Sequence, residues 1–338
     1  MNKKIFFNTF LTGVILLFFV TKRVSAQSDT LSFLHISDIH LIFNFDIIQE
    51  DLAKDRVGWR SSQGDTGILN IGQKDLVNDW GHYGLGVAPF DRFLQNIPKE
   101  PRVDFVAITG DLIDFYEGET QNNGIFGSQV EQFSQLINKN NVPVYASLGN
   151  HDITRYSWNN TRISTQSEAE RARATWIQNV PCFQNGTYYS RIYHVGKTCY
   201  RLIFLDDGFD LYDVKGDFEI PFIDKVQQTW LKSQLVASED DIEIIFMHIP
   251  LGLGVSNVQE NSVYSVIKGH STLKAIFAGH HHQNVVTLFD SGNDSFYQVL
   301  TAAFATDTAA WRLIRLTEDH IMVSGPEKTE NELVIQIK

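Results

Sequence analysis

Short runs of β-branched and other apolar residues recur along this 338-residue chain, separated by stretches with helical periodicity. LSFLHI (31–36), VDFVAIT (103–109), VPVYASL (142–148), IEIIFMH (242–248) and LKAIFAG (273–279) are nearly continuous in hydrophobicity, the signature of strands buried on both faces. Between them SQVEQFSQLINK places Val130, Phe133 and Leu136 on one helical face, with Ser128 and Glu131 spaced as a capping box. DKVQQTWLKSQL starts at Asp224 with Gln227 three residues on, and sets Val226 above Trp230 and Leu231 above Leu235. A further helix is predicted to begin near Pro89. Beyond residue 283 the pattern turns to strands: NVVTLF, SFYQVLTAA, AWRLIRLT and ELVIQI. This mixture predicts an α/β fold with two sheets and outer helices, folded as a single domain over residues 27–338.

Two segments stand apart from that scaffold. Residues 1–26 combine Lys3 and Lys4 with an apolar run from Ile5 to Val20 and end in Val24, Ser25 and Ala26, the pattern of an export signal cleaved before Gln27. The alternative, an uncleaved anchor, is disfavoured by the cleavage pattern at the expected place. A secreted or periplasmic mature protein without a stable membrane span is therefore expected. Residues 41–88 form the second segment, long for a loop and rich in Gly, Asp and aromatics. Its Trp59, Trp80, His82 and Tyr83 make it a candidate lid offering aromatic surface to a substrate; the alternative is a small satellite core holding the insertion together.

Charge narrows the partners. The formal charge is -12, and removal of residues 1–26 takes away Lys3, Lys4, Lys22 and Arg23 and no acid, which carries it to about -16. So acidic a surface repels phosphate backbones, so long nucleic acid is not an expected partner. Oligomeric state is not legible. Cys182 and Cys199 flank a predicted hairpin turning near Gly196 and Lys197, whose register sets Cys199 opposite His194 rather than Cys182. The acidic stretch DDGFDLYDVKGDFE reads as a solvated loop rather than the alternative, a structural cation site.

The chemistry lies at the strand ends. The first predicted strand runs into SDIH, the second into GDLID, the third into GNHD, the fourth into His248 and the fifth into GHHH. Five strands each deliver a carboxylate, carboxamide or imidazole at the carboxyl end, where α/β sheets place ligands. Asp38 and His40, like His280 and His282, stand two residues apart, a spacing that on extended backbone points both side chains one way. The same alternation turns His281 aside. Carboxylates, imidazoles and an amide oxygen together suit Zn, Mn, Fe or Co rather than Ca. Seven such ligands exceed one tetrahedral ion's needs, so two divalent ions sharing an Asp are expected.

The series SDIH, GDLID, GNHD, His248 and GHHH resembles the calcineurin-like metallophosphoesterases across the whole mature chain. The resemblance implies a two-sheet β-sandwich flanked by helices. It also implies Asp38, His40, Asp111 and His282 as ligands of one ion, Asp111 as the bridge, and Asn150, His248 and His280 as ligands of the other. A metal-bridging hydroxide would then attack a small phosphate ester directly, with no phosphoenzyme. His151 matches the family's non-ligand histidine, the expected general acid, and Asp114 the position that orients it. Asp114 also stands where the purple acid phosphatase branch has a tyrosine ligand, which argues against a ferric tyrosinate centre, although Tyr116 is near. SDIHL and GDLID are closer to cyclic-nucleotide phosphodiesterase-like members and point to diesters. Export, the long insertion and the HIP after the fourth strand resemble the acid sphingomyelinase-like branch, without its disulfides. A non-catalytic scaffold of the same fold would be expected to lack ligands, and here every one is present.

Overall fold

The computed structural model describes residues 29–41, 43, 87–99, 101–119, 125–126, 129–156, 165–208, 220–237, 240–252, 261–290 and 294–337. The export signal and the lid aromatics Trp59, Trp80, His82 and Tyr83 lie outside the described residues. In chain order the elements are β1 (Leu31–Ile36), α1 (Val87–Gln95), β2 (Phe105–Thr109), β3 (Glu117–Glu119), β4 (Ile125–Phe126), α2 (Val130–Asn138), β5 (Val144–Ser147), β6 (Arg155–Tyr156) and α3 (Gln166–Asn179). They continue as β7 (Tyr189–Val195), β8 (Thr198–Phe204), α4 (Lys225–Leu235), β9 (Asp241–Phe246), α5 (Tyr264–Ile267), β10 (Leu273–Ala278), β11 (Val285–Asp290), β12 (Ser295–Leu300), β13 (Arg312–Leu316), β14 (His320–Ser324) and β15 (Asn331–Gln336).

Two six-stranded mixed sheets result, ordered β15-β14-β13-β1-β2-β5 and β11-β12-β10-β9-β8-β7, with a small β4-β3-β6 sheet beside them. Within the first, β1, β2 and β5 run parallel; within the second, β8, β9, β10 and β12 do. Their near-continuous apolar runs follow from burial on both faces. Phe33 stacks on Phe105 at 4.6 Å within the first sheet, Phe204 on Phe246 at 4.5 Å and Phe246 on Phe277 at 5.3 Å within the second. Phe33 meets Phe246 edge-on across the sandwich at 5.7 Å. Burial of each such ring contributes roughly 1.5–3 kcal/mol before chain entropy is subtracted. On the outer face of the second sheet, Ile203, Ile245 and Ile276 meet Leu231 and Leu235 of α4 and Ile267 of α5. Phe90 of α1, Phe133 of α2 and Trp176 of α3 join the core of the first. The helix-flanked two-sheet sandwich expected from the sequence is the observed one.

Local details differ from the pattern reading. Helix α2 starts at Val130 behind Gln129, which makes no side-chain cap; its amide instead accepts from the Phe43 N–H at 2.6 Å. Asp224 does cap α4, accepting from the Gln227 N–H at 2.7 Å. The Gln227 side chain does not close a capping box; it is buried and binds the main chain of Asp206 through both amide atoms. Val226 is exposed rather than packed, while Leu231 and Leu235 are buried. The hairpin pairs His194 with Cys199, and both cysteines are free thiols. Among the described residues no helix is long and apolar enough to cross a membrane.

Candidate metal centre

Where the parallel strands end, the backbone leaves the extended region abruptly. Asp38, His40, Asp111, His280 and His282 all have positive φ, between 42 and 68°. Such a conformation costs a non-glycine residue about 1–2 kcal/mol and persists only where surroundings enforce it. The enforcement is visible: Asp38 N–H donates to the Gly110 carbonyl at 3.2 Å, His40 N–H to that of Asp111 at 2.9 Å, and His280 N–H to the Asp38 carboxylate at 3.0 Å. Thus the paired ligands converge through left-handed turns and not through the pleat of an extended segment, which corrects the expectation drawn from their spacing. Glycine is required beside them. A Cβ on Gly279 would lie 1.8 Å from Ser37 Oγ, and one on Gly110, where φ is 83°, would lie 2.4 Å from His248 Nδ1.

The turns gather the predicted ligands into clusters around one carboxylate. Asp38, His40 and His282 form one group, Asp111, His248 and His280 a second, and His40, Asp111 and His151 a third. Asp111 Oδ2 lies 3.7 Å from His40 Nε2 and 3.2 Å from His248 Nε2, so a single oxygen faces both sides. His282 Nε2 is 3.3 Å from Asp38 Oδ1 and 3.4 Å from His40 Nε2; His280 Nδ1 is 3.2 Å from His248 Nε2, and Asn150 Oδ1 is 3.0 Å from it. His281 belongs to none of these groups; its N–H donates to the Gly279 carbonyl at 2.8 Å.

Hydrogen bonds outside the clusters fix the imidazoles. His248 Nδ1 donates to the Thr109 carbonyl at 2.8 Å and His151 Nδ1 to the Asp114 carbonyl at 2.5 Å. A carbonyl only accepts, so each ring carries its first proton on Nδ1. His248 Nε2 therefore points a lone pair at two further acceptors, Asp111 Oδ2 and Asn150 Oδ1. That arrangement is repulsive unless a cation or a proton lies among them. Burial alone would lower His248, but Asp111, Asp38 and Asp207 carry it up to about 10. Burial and the His248 charge push His280 down to about 3. Burial would lift Asp38, yet His282 and His248 hold it at about 2; Asp111 is likewise held well below the usual carboxylate range, against its burial, by His248 and His151.

Asp114 differs from expectation. Its carboxylate sits 3.1 Å from His40 Nδ1 and 3.6 Å from His151 Nδ1, so the shorter contact orients His40, and the main-chain carbonyl of Asp114 holds His151. Tyr116 has its hydroxyl on Thr175 Oγ1 at 2.8 Å. Two supports escaped the sequence reading. Asp152 accepts from the N–H groups of Leu112, Ile113 and Gly149 at 2.7–3.0 Å, tying the GDLID and GNHD turns together. Asp207 accepts from the N–H groups of His248 and Ile249 at 2.9 and 2.7 Å, and burial pushes it up to about 7. Asp206 and Asp207 open the stretch read as a solvated loop, yet both are fully buried, Asp206 in a bidentate pair with Arg173. Residues 209–219 of that stretch lie outside the described residues.

The family model for calcineurin-like phosphoesterases matches residues 31–284. The chain belongs to this family. Membership makes it a hydrolase acting on phosphoester bonds, in a family that depends on dinuclear metal. Among solved structures, this phosphoesterase superposes on a dimetal phosphatase from Danio rerio with a TM-score of 0.51 at 16% identity, covering 91% of this chain and 99% of that one. It also superposes on the purple acid phosphatase PPD1 of yellow lupin, Lupinus luteus, with a TM-score of 0.50 at 13% identity, covering 92% of this chain and 54% of that one. At such identities the likeness is one of fold. Comparison with curated proteins finds no match.

Proposed function

We propose that this phosphoesterase is an exported hydrolase of small organic phosphate diesters, working with two divalent ions drawn from Mn, Zn, Fe and Co. The observation that carries the reading is the pair of clusters on either side of Asp111 Oδ2. Donor atoms around an ion at 2.0–2.2 Å stand roughly 3.0–3.5 Å apart. Most of the separations given above lie in that range, and the convergence of His248 Nε2, Asp111 Oδ2 and Asn150 Oδ1 calls for a cation or a proton among them. Asp38, His40, Asp111 and His282 would hold one ion, and Asp111, Asn150, His248 and His280 the other. Ions so held supply an activated water at neutral pH and polarise the phosphoryl oxygens.

The remaining steps belong to the chain. Asp114 and the Thr109 carbonyl hold the Nδ1 sides of His40 and His248, so that their Nε2 atoms face the Asp111 carboxylate. His151, held through Nδ1 by the Asp114 carbonyl, would present Nε2 to a leaving-group oxygen. As the imidazolium it carries a proton on that atom, and handing it over neutralises the departing alkoxide. Residues 41–88 would close over the substrate and set its class, with Trp59, Trp80, His82 and Tyr83 as its contacts. A panel of bis-nitrophenyl, mono-nitrophenyl, cyclic-nucleotide and choline-phosphate substrates tests the reading. Preference for bis-nitrophenyl phosphate over the monoester supports it. Preference for choline-phosphate esters would instead favour a lipid phosphodiesterase, and no turnover of any would contradict a catalytic role.

A further inference from the structure

His35 lies beneath the centre, fully buried on β1 and outside every ligand cluster. Both ring nitrogens are engaged: Nε2 is 2.9 Å from Thr109 Oγ1 and Nδ1 is 2.8 Å from Thr301 Oγ1. The ring is wedged against the second sheet, 5.0 Å from Phe277 and 6.4 Å from Phe246, the penultimate and last residues of β10 and β9. A polar side chain at the centre of an aromatic core is costly unless satisfied, and here its partners are spent on one task.

That task follows from where the threonines lead. The Thr109 carbonyl is the acceptor that fixes His248 Nδ1 at 2.8 Å, and Ser37 Oγ donates to the same carbonyl at 2.9 Å. The Thr301 N–H donates to the carbonyl of Ala278, two residues before His280. One arm of His35 therefore ends at His248 and the other on the strand that delivers His280. The first cluster has its own supports, Asp114 on His40 and the Asp38 carboxylate on His282. Burial and the nearby Arg312 push His35 down to about 3, so the ring is neutral and its two nitrogens have unlike roles, one donating and one accepting.

Building on the dinuclear reading above, we infer that His35 is a positioning residue for the second ion, holding His248 and His280 at ligating distance across the two sheets. Metal-free full-length protein is equilibrated with low free Mn²⁺ and bound ions are counted, with calorimetry for affinities and melting of each metal-free variant alongside. The parent is expected to hold two ions. His35→Leu, which removes both arms, is expected to weaken one ion by about 10–100-fold, the usual effect of losing an outer support to a ligand, and to leave the other unchanged. The ion lost should be that of His280: His35→Leu with His280→Ala still holds one ion, and His35→Leu with His282→Ala holds none. His35→Gln, which can donate and accept, should restore part of the lost affinity. Thr301→Val, nearly isosteric, cuts one arm and should show a smaller loss of the same ion, and it decides the matter if His35→Leu fails to fold. Two ions retained at parental affinity in His35→Leu and Thr301→Val, or equal loss of both ions in proportion to lowered melting, would overturn the inference. A parent that binds fewer than two ions overturns the dinuclear reading itself, and this inference with it.

Discussion

At the residue scale, the chemistry rests on which nitrogen of each histidine is already spoken for. His151 is held by a carbonyl on Nδ1, so its value to the reaction is the proton on Nε2. A nitrophenolate leaves without help, whereas an alkoxide needs that proton. Replacing His151 with Ala should therefore cost a diester with an alkyl leaving group about 100–10,000-fold in turnover and bis-nitrophenyl phosphate far less. Equal losses on both would remove the general-acid assignment. The row His280, His281, His282 makes a second test. His281→Ala should leave metal content near normal, while His280→Ala and His282→Ala each lose a different ion by elemental analysis; loss of both ions from His281→Ala would contradict the clusters. The ligand types and their order could be read in the chain, because each must end a buried strand. What the side chains of Asp114, Asp152 and Asp207 touch could not. A carboxylate's partner is decided by turns far apart in sequence, and Asp114 reaches His40 across 74 positions.

At the element scale, strands announce themselves through runs of apolar residues, and β1 spans the same six residues that the pattern marks. Edges announce themselves less. β14 leaves little trace in the sequence, since HIMVS is short and pairs on both sides only once β13 and β15 are in place. Helix α3 carries little apolar periodicity, because its buried face is made of Ala169, Ala172 and Arg173 with Trp176 as its one large apolar side chain, although Thr165 and Glu168 form a capping box in the structure. The left-handed turns after β1, β2 and β10 are invisible to periodicity, because Asp and His in positive φ arise from the fold around them. Two of them leave a sequence trace in a glycine, Gly110 after β2 and Gly279 after β10. Gly279→Ala should cost roughly 1–3 kcal/mol of stability, since the new methyl would overlap Ser37 and press on Asp38. Thermal melting of the metal-free protein checks this; an unchanged melting temperature would mean the turn has room that the structure does not show.

At the scale of the whole molecule, two sheets contribute half a site each. The first brings Asp38, His40, Asp111 and Asn150, and the second His248, His280 and His282, so the centre forms only when the sandwich closes. In the metal-free protein the clustered carboxylates raise His248 to about 10 and lift His282 as well. Ligation needs both rings without that proton, so a ring that holds it must release it. Apparent metal affinity should rise with pH through the neutral range, by up to about tenfold per pH unit for each proton displaced. Calorimetry in buffers of different ionisation enthalpy counts those protons, and proton uptake on binding would reverse the sign. The most direct test of the dinuclear phosphoesterase is to titrate metal-free, full-length protein with Mn²⁺ or Zn²⁺ while following bis-nitrophenyl phosphate turnover and counting bound ions. Activity should reach its plateau at two ions per chain. Full activity at one ion, or two ions bound with no turnover, would contradict it.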